Sequence, residues 1–154
     1  MHESHHSPIA LSNEAATIAF AHHLAKALAP GLIIYLRGDL GAGKTTLVRA
    51  LLQALGHTGR VKSPTYTLVE RYQVHGMQVR HFDLYRFRDA AEWEEAGFRD
   101  EFDGHNICLV EWPDQAAGLL PPADLSLTFA ILQDGREILL HAYTEAGRKC
   151  LDAL

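Results

Sequence analysis

The sequence predicts an α/β fold, a three-layer sandwich whose central sheet is mixed and partly antiparallel. Three observations favour this fold: short apolar runs typical of buried strands, helical segments with an apolar face between them, and a C-terminal pair of alternating segments joined by a tight turn. The length of 154 residues suits one compact domain, which we assign to residues 12–154. Residues 1–11 are predicted to form a disordered tail.

The first half of the chain is predicted to contain two helices and one strand. Ser12 to Leu28 repeats apolar residues at helical spacing, and Ser12 or Asn13 can cap its N-terminus. Leu32 to Leu36 is an apolar run of the kind found in buried strands, and a glycine-rich loop follows it. Thr46 to Leu55 then places leucines on one helical face, and Gly56 suits its C-terminal end.

The second half of the chain is predicted to contain five strands and one helix. In order, they are the strands Leu68–Val74 and Met77–Leu84, the helix Asp89–Ala96, the strand Ile107–Val110, and the hairpin strands Leu125–Ile131 and Ile138–Ala142. His75-Gly76 and Asp134-Gly135 supply the turns of the two strand pairs.

The glycine-rich loop Gly38-Asp39-Leu40-Gly41-Ala42-Gly43-Lys44-Thr45 matches the pattern G-x-x-x-x-G-K-[ST], and Thr46 follows it. Glycines let backbone N–H groups approach phosphate oxygens, and the next helix adds free N–H groups and the positive end of its dipole. Lys44 would reach the β- and γ-phosphates of a nucleotide, and the Thr45 hydroxyl would bind Mg²⁺. A strand before the loop and a helix after it indicate a fold of the P-loop NTPase type rather than a chance glycine turn.

The nucleotide is predicted to be ATP. Guanine-specific P-loop proteins usually carry an Asn-Lys-x-Asp motif, and neither of the chain's asparagines, Asn13 and Asn106, begins one. The sequence therefore predicts a chain that binds ATP with Mg²⁺ on residues 38–45 and hydrolyses it.

Glu111 and Trp112 come directly after the apolar run Ile107 to Val110. A buried strand that ends in a carboxylate is the general form of the second P-loop element, which holds Mg²⁺ or orients the attacking water. Ligands of open α/β sheets lie at the carboxyl ends of strands, which favours this function for Glu111 over a plain surface position. Trp112 could pack beside the nucleotide or fill a gap in the core, and the sequence leaves both possibilities open.

Two further polar segments are candidates for function. Ser63-Pro64-Thr65-Tyr66-Thr67 is rich in hydroxyl groups and could act as a switch segment that senses the γ-phosphate, or could simply begin an ordinary strand. Polar and apolar residues alternate in the strand that contains His81, Asp83 and Tyr85, so these three share one face. That face could present Asp83 to Mg²⁺ or water, or it could be solvated.

Charge and composition limit the partners and the location. The net charge is −5 and no run of Lys or Arg is present, which argues against a strong grip on nucleic acid by this chain alone. No apolar run approaches the ~18 residues of a membrane-spanning helix, and the N-terminus has no apolar signal segment, so we expect a cytoplasmic location without a membrane partner. His2, His5, His6, His22 and His23 crowd the N-terminal region, but their spacing is unconvincing for a specific metal site.

Together these motifs closely resemble the TsaE family, the bacterial ATPase of tRNA threonylcarbamoyladenosine synthesis. The matching segments are, in order, Gly38 to Thr46, Ser63 to Leu68, His81 to Arg86 and Val110 to Pro113. The resemblance runs from about Ser12 to the C-terminal hairpin. Many families share the loop alone, but its combination with the other three segments is highly specific.

The resemblance implies a role for each matched position. Lys44, Asp83 and Glu111 would be catalytic, Thr45 and Glu111 would hold Mg²⁺, and Ser63 to Thr67 would be the switch segment. The implied nucleotide contacts are Thr17 near the adenine, the loop residues Asp39, Leu40, Gly41, Ala42, Gly43, Lys44, Thr45 and Thr46, and Trp112.

The resemblance also implies partners. Members of the family work with TsaB and TsaD, and TsaD moves a threonylcarbamoyl group onto an adenosine next to the anticodon. The ATPase would reset that complex between turnovers, so its contact with tRNA would be indirect. Two other functions stay open: a small P-loop kinase, although no lid insertion is evident, and a module that binds nucleotide only to assemble with partners.

Overall fold

A mixed sheet with helices on both faces organises the computed structural model, which describes residues 4–5 and 7–154. The strands are β1 (Ser4–His5), β2 (Ile9–Leu11), β3 (Ile33–Arg37), β4 (Val69–Val74), β5 (Met77–Asp83), β6 (Ile107–Glu111), β7 (Leu125–Leu132) and β8 (Gly135–Ala142). The α-helices are α1 (Glu14–Ala27), α2 (Lys44–Leu55), α3 (Ala90–Glu95) and α4 (Glu145–Asp152), and two short 3-10 helices cover Phe98–Glu101 and Pro113–Ala116.

The eight strands form one sheet in the order β1-β8-β7-β3-β6-β5-β4, and β2 also pairs with β8. Strands β7, β3, β6 and β5 run parallel to one another at the centre. Strands β4, β8, β1 and β2 are antiparallel to their neighbours and lie outside that centre. The prediction of a mixed, partly antiparallel sheet is therefore confirmed.

Two apolar clusters lie on opposite faces of the sheet and make the three layers. In β6 the residues alternate between them: Ile107 and Leu109 belong to the first cluster, while Cys108 and Val110 belong to the second. The first cluster packs α1, α2 and α4 against the sheet, and the second packs α3 and the 3-10 helix Phe98–Glu101. Strand β6 is buried along its whole length because both faces are covered, as its apolar sequence predicts.

The predicted helices and strands are present, with ends shifted by a few residues. Asn13 caps α1, and its Oδ1 accepts the Ala16 N–H at 2.9 Å. Asp89 caps α3 in the same way, through the Ala91 N–H. Helix α2 begins at Lys44, inside the glycine-rich loop motif and before the predicted start at Thr46, so its first turn belongs to the loop.

The prediction of a disordered tail over residues 1–11 is wrong for Ser4, His5 and Ile9–Leu11. Both short strands pair with β8, whose outer edge would otherwise expose unpaired backbone groups. Leu11 is 3% exposed and joins the first apolar cluster, which fixes the second of these strands. Residues 1–3 and His6, and with them His2, lie outside the described residues.

Helix α4 has no counterpart in the predictions. Thr144 caps it by accepting the Gly147 N–H at 3.1 Å, and the Thr144 hydroxyl donates to Asp124 Oδ1 at 2.7 Å. Cys150 and Leu151 pack into the first cluster. None of the helices in the described part of the chain has the length and apolar character needed to cross a bilayer.

Candidate functional site

The candidate site lies where the parallel strands β3, β5 and β6 end at the same edge of the sheet. The glycine-rich loop leads from β3 into α2. Asp83 is the last residue of β5 and Glu111 the last of β6, and the two are direct partners in the sheet register. Leu36, near the end of β3, is the partner of Glu111 on its other side. The strand ends therefore bring both carboxylates beside the loop, as predicted for open α/β sheets.

The loop turns sharply into α2 at Gly43. Gly43 has φ 107°, a left-handed conformation that a side chain disfavours, and its carbonyl accepts the Leu47 N–H at 2.9 Å. The preceding turn is closed by the Ala42 N–H, which donates to the Asp39 carbonyl at 3.1 Å. This geometry sets the N-terminus of α2, with its free N–H groups, at the site.

A cavity of ≈ 180 Å³ opens at this point. Its lining combines loop residues, the two carboxylates and one tryptophan: Leu40, Gly41, Gly43, Lys44, Thr45, Thr46, Asp83, Glu111 and Trp112. All nine were predicted from the sequence as site residues. Asp39 and Ala42 do not line this cavity; Asp39 lines a neighbouring hollow, and Ala42 is buried in the first apolar cluster.

The Lys44 side chain folds over the loop and contacts its backbone. Its Nζ donates to the Gly38 carbonyl and lies 3.9 Å from the centre of the Trp112 ring, a cation–π contact. Burial lowers the pKa of Lys44 from its ordinary value, and the negative charges of Glu111, Asp83 and Asp39 partly oppose that shift. The positive charge of Lys44 therefore faces two carboxylates across a small cavity.

Glu111 is held by hydrogen bonds from two sides. The Thr45 hydroxyl donates to its Oε1 and Oε2 at 3.2 and 3.1 Å. His81 Nε2 lies 2.6 Å from Glu111 Oε2. Glu111 is 2% exposed and His81 is fully buried, so the Glu111–His81 contact is shielded from solvent, while Thr45 is partly exposed at the cavity.

Asp83 is half-buried, and burial raises the pKa of its carboxyl, with the nearby Glu111 charge adding to the shift. Its Oδ1 accepts the Tyr85 N–H at 3.1 Å. Two carboxylates and a hydroxyl at one point form the hard oxygen donor set that Mg²⁺ prefers. Within residues 4–5 and 7–154 no group of three or more His, Cys, Asp or Glu is placed to hold a metal, so a cation here would need further oxygens from phosphate or water.

Trp112 is directed over the cavity by its backbone. Its φ of 58° is left-handed, which is rare for a bulky residue, and it separates β6 from the 3-10 helix Pro113–Ala116. Besides Lys44, its ring contacts Tyr85 at a centroid distance of 4.9 Å. Trp112 thus lines the cavity, and its ring also packs on the edge of the second cluster.

Thr17 lies on the opposite side of the loop. It lines a second cavity of ≈ 280 Å³, which shares Gly41, Gly43 and Thr46 with the first. Arg136 of β8 also lines this cavity, and its Nη2 donates to the Gly41 carbonyl at 3.2 Å. Thr17 therefore lines a cavity beside the loop, and Arg136 is a contact that sequence reasoning missed.

The predicted switch segment Ser63–Thr67 forms a turn before β4, and its side chains do not line the first cavity. The Ser63 and Thr65 hydroxyls lie 2.7 Å apart, and Tyr66 is 86% exposed. The segment is connected to the site through Leu68. The Leu68 N–H donates to the Pro64 carbonyl at 2.8 Å, and the Leu68 carbonyl accepts the Asp83 N–H at 3.0 Å.

His81 is the second residue that sequence reasoning missed. The face shared by His81 and Asp83 could have been solvated, but His81 is 0% exposed and in contact with Glu111. The alternation of β5 already placed His81 on the face of Asp83. The signal that was lacking is the pairing of β5 with β6, which brings Glu111 to that face.

Three comparisons with known proteins agree with one another. The family model "Threonylcarbamoyl adenosine biosynthesis protein TsaE" matches residues 11–138. A Haemophilus influenzae protein named tRNA threonylcarbamoyladenosine biosynthesis protein TsaE is 50% identical over 122 residues, 79% of this chain and 77% of the relative. A Bacillus subtilis protein of the same name is 37% identical over 138 residues, 89% and 84% of the two chains. The crystal structure of Bacillus subtilis YdiB superposes with a TM-score of 0.77 at 30% identity, covering 99% of this chain and 94% of that one.

Proposed function

The chain belongs to the TsaE family of tRNA threonylcarbamoyladenosine biosynthesis, and on that premise we propose that it binds and hydrolyses ATP with Mg²⁺. The observation that carries the proposal is the convergence of Lys44, Thr45, Asp83 and Glu111 on one cavity at the N-terminus of α2. A helix N-terminus preceded by a glycine-rich loop is a general anion site, and an adjacent lysine adds a positive charge for phosphate.

Each of these residues has a distinct task in the proposal. Loop N–H groups from Asp39 to Thr46 bind the phosphates, and Lys44 exchanges the Gly38 carbonyl for the β- and γ-phosphate oxygens. Thr45 and Glu111 hold Mg²⁺, which supplies charge compensation to the phosphate oxygens. Trp112 is assigned to the nucleotide, and the cavity that Thr17 lines on the other side of the loop is assigned to the adenine.

Asp83 is assigned the task of orienting the attacking water and accepting its proton. Glu111 is already engaged by Thr45 and His81, which suits a residue that holds a cation in a fixed place. Within residues 4–5 and 7–154 the Asp83 carboxylate is hydrogen-bonded through Oδ1 to one backbone N–H, and its raised pKa makes it a stronger proton acceptor than an ordinary aspartate.

The test is release of inorganic phosphate from ATP with no acceptor added. Wild-type protein should hydrolyse ATP in the presence of Mg²⁺, and Lys44→Ala should lower the rate by roughly tenfold or more because the charge facing the phosphates is lost. Lys26→Ala, which removes an exposed lysine from α1, is the matched control and should be unaffected. Transfer to an added metabolite without release of phosphate would support a kinase instead.

We further propose that TsaB and TsaD are the partners and that the nucleotide state controls the contact. The support is the backbone link from Asp83 through Leu68 to Pro64, which connects the phosphate end of the site to the exposed segment Ser63–Thr67. The γ-phosphate would order this segment, and its loss would release it. The affinity for the partner changes only if the partner binds one of these two states more tightly than the other.

A pull-down of purified TsaB–TsaD with no nucleotide, ADP or a non-hydrolysable ATP analogue tests that partnership. Recovery should differ among the three conditions, and Thr65→Ala should reduce that difference more than it reduces nucleotide affinity. Equal recovery in all three conditions would exclude the switch, and no recovery in any would exclude the partnership. Nucleotide binding without turnover, even with both partners present, would identify a non-hydrolysing assembly module.

A further inference from the structure

His81 is a buried polar residue to which the proposed function gives no task. It lies on β5 two residues before Asp83 and on the same face of the sheet. Val79, two residues earlier on that face, belongs to the first apolar cluster. An apolar side chain would continue that cluster, so the imidazole at this position needs a reason other than packing.

The hydrogen bonding of the imidazole points to that reason. Its Nε2 lies 2.6 Å from Glu111 Oε2, and its Nδ1 is buried with no hydrogen-bond partner among residues 4–5 and 7–154. An ionised carboxylate accepts only, so Nε2 carries the hydrogen and donates it. The ring therefore leaves one nitrogen unsatisfied in order to donate from the other, which is unfavourable unless the donated bond matters.

The other contacts of Glu111 show what that bond controls. The Thr45 hydroxyl and the positive charge of Lys44 both attract the same carboxylate from the loop side. His81 approaches from β5, which lies on the opposite side of β6 from β3 and the loop that follows it. Without a hydrogen-bond donor on the β5 side, the buried Glu111 carboxylate would be free to rotate toward the Lys44 ammonium group.

We infer that His81 is a positioning residue that fixes the Glu111 carboxylate, through its Nε2–H, in the orientation that receives a divalent cation together with Thr45. The inference rests on the proposed Mg²⁺–nucleotide site. His81 does not itself touch the nucleotide or the cation; it acts through Glu111, as hydrogen-bond partners of metal ligands commonly do.

The measurement is the factor by which Mg²⁺ tightens the binding of a fluorescent ADP analogue, from titrations with Mg²⁺ and with EDTA. His81→Phe keeps the ring and removes the donor, and it should reduce this factor about 10-fold or more. His81→Gln carries an amide N–H that reaches the position of Nε2, and it should keep the factor within roughly threefold of wild type. Affinity in EDTA should be the same in all three proteins, because the loop is unchanged.

Two outcomes would overturn the inference. One is a folded His81→Phe protein with the wild-type factor; the other is equal loss of affinity with Mg²⁺ and with EDTA, which indicates a merely structural role. If His81→Phe does not fold, His81→Asn takes its place, because the asparagine amide is too short to reach Glu111. Equal Mg²⁺-dependent gains in ADP affinity for the Asn and Gln variants would then contradict the inference. A wild-type protein whose ADP affinity is independent of Mg²⁺ would instead contradict the proposed Mg²⁺ site at Thr45 and Glu111.

Discussion

The Thr45 hydroxyl lies between the glycine-rich loop and Glu111 and is the smallest group on which the proposed metal site depends. Thr45→Ala removes an oxygen ligand from the cavity and leaves Glu111 with one hydrogen-bond donor fewer. We expect the Mg²⁺ concentration for half-maximal ATP hydrolysis to rise roughly tenfold or more. Thr45→Ser keeps the hydroxyl and should stay near wild type. Equal Mg²⁺ requirements for the Ala and Ser variants would show that the hydroxyl has no such role.

Asp83 should destabilise the nucleotide-free protein at neutral pH. Because burial and Glu111 raise its pKa in the folded state, Asp83 binds its proton more tightly folded than unfolded. Its contribution to stability is therefore present at acidic pH and is lost as the pH rises through the folded pKa.

Asp83→Asn should accordingly increase the free energy of unfolding at pH 7.5, and the gain over wild type should shrink toward pH 4. Urea denaturation at a series of pH values measures this difference. Asp134→Asn, in the exposed turn between β7 and β8, is the control. A gain for Asp83→Asn that is independent of pH would contradict the assigned cause.

At the scale of single residues, strand ends and motif spacing were enough to predict most of the site. Glu111 ends a buried strand, and such ends lie at the ligand edge of an open sheet, so its place at the site could be predicted without coordinates. The residues alone left the role of Asp83 open, because the pairing of β5 with β6 that joins it to Glu111 is not visible in the sequence, and only the family resemblance assigned it. Arg136 reaches Gly41 only because β8 folds back beside the loop, 95 residues further along the chain, and no local pattern encodes that contact. The same holds for the contact of His81 with Glu111.

Among the elements, the turn before β4 contains a strained backbone position. Leu68 is buried and has φ 67°, a conformation that costs a leucine about 1–2 kcal/mol. It also carries the two backbone hydrogen bonds that join the segment Ser63–Thr67 to Asp83. The fold therefore holds a strained residue at the connection between the exposed segment and the site.

Substitutions at Leu68 should show an inverted order of stability. Leu68→Ala loses buried area and keeps the strain, whereas Leu68→Gly loses the same area and relieves it, so Gly should be more stable than Ala by about 1 kcal/mol. At Leu51, buried in the middle of α2, the order should be the usual one, with Gly about 1 kcal/mol less stable than Ala. Chemical denaturation of the four variants measures both differences, and the same order at both positions would refute the strain.

The elements that the sequence did not predict depend on distant contacts. Strands β1 and β2 are too short to show a periodic pattern, and they exist because β8 offers them an edge. Helix α4 contains Gly147, a residue that weakens helices, which argues against a helix there. The structure supplies the reason: a Cβ at Gly147 would collide with the carbonyl oxygen of Asp124, so only glycine allows the helix to pack.

At the scale of the whole molecule, both faces of the sheet are covered by apolar clusters, and the candidate site lies at the edge where the parallel strands end. Trp93, Phe82 and Phe98 fill the second apolar cluster, which covers the face of the sheet opposite α2. The strand ends that carry Asp83 and Glu111 are thus held from both faces, while the loop and Trp112 remain at the edge where a ligand can enter. A rigid sheet with reactive groups at its carboxyl edge is the general design of ligand sites in α/β proteins.

The most direct test is a crystal structure with Mn²⁺ in place of Mg²⁺ and a non-hydrolysable ATP analogue. Mn²⁺ gives an anomalous signal that locates the cation independently of the nucleotide. The site predicts an anomalous peak bound by the Thr45 hydroxyl and Glu111, with the phosphates on residues 39–46 and Lys44 moved from the Gly38 carbonyl to the phosphate oxygens. A nucleotide bound elsewhere, or a cation that contacts neither Thr45 nor Glu111, would contradict the proposed site.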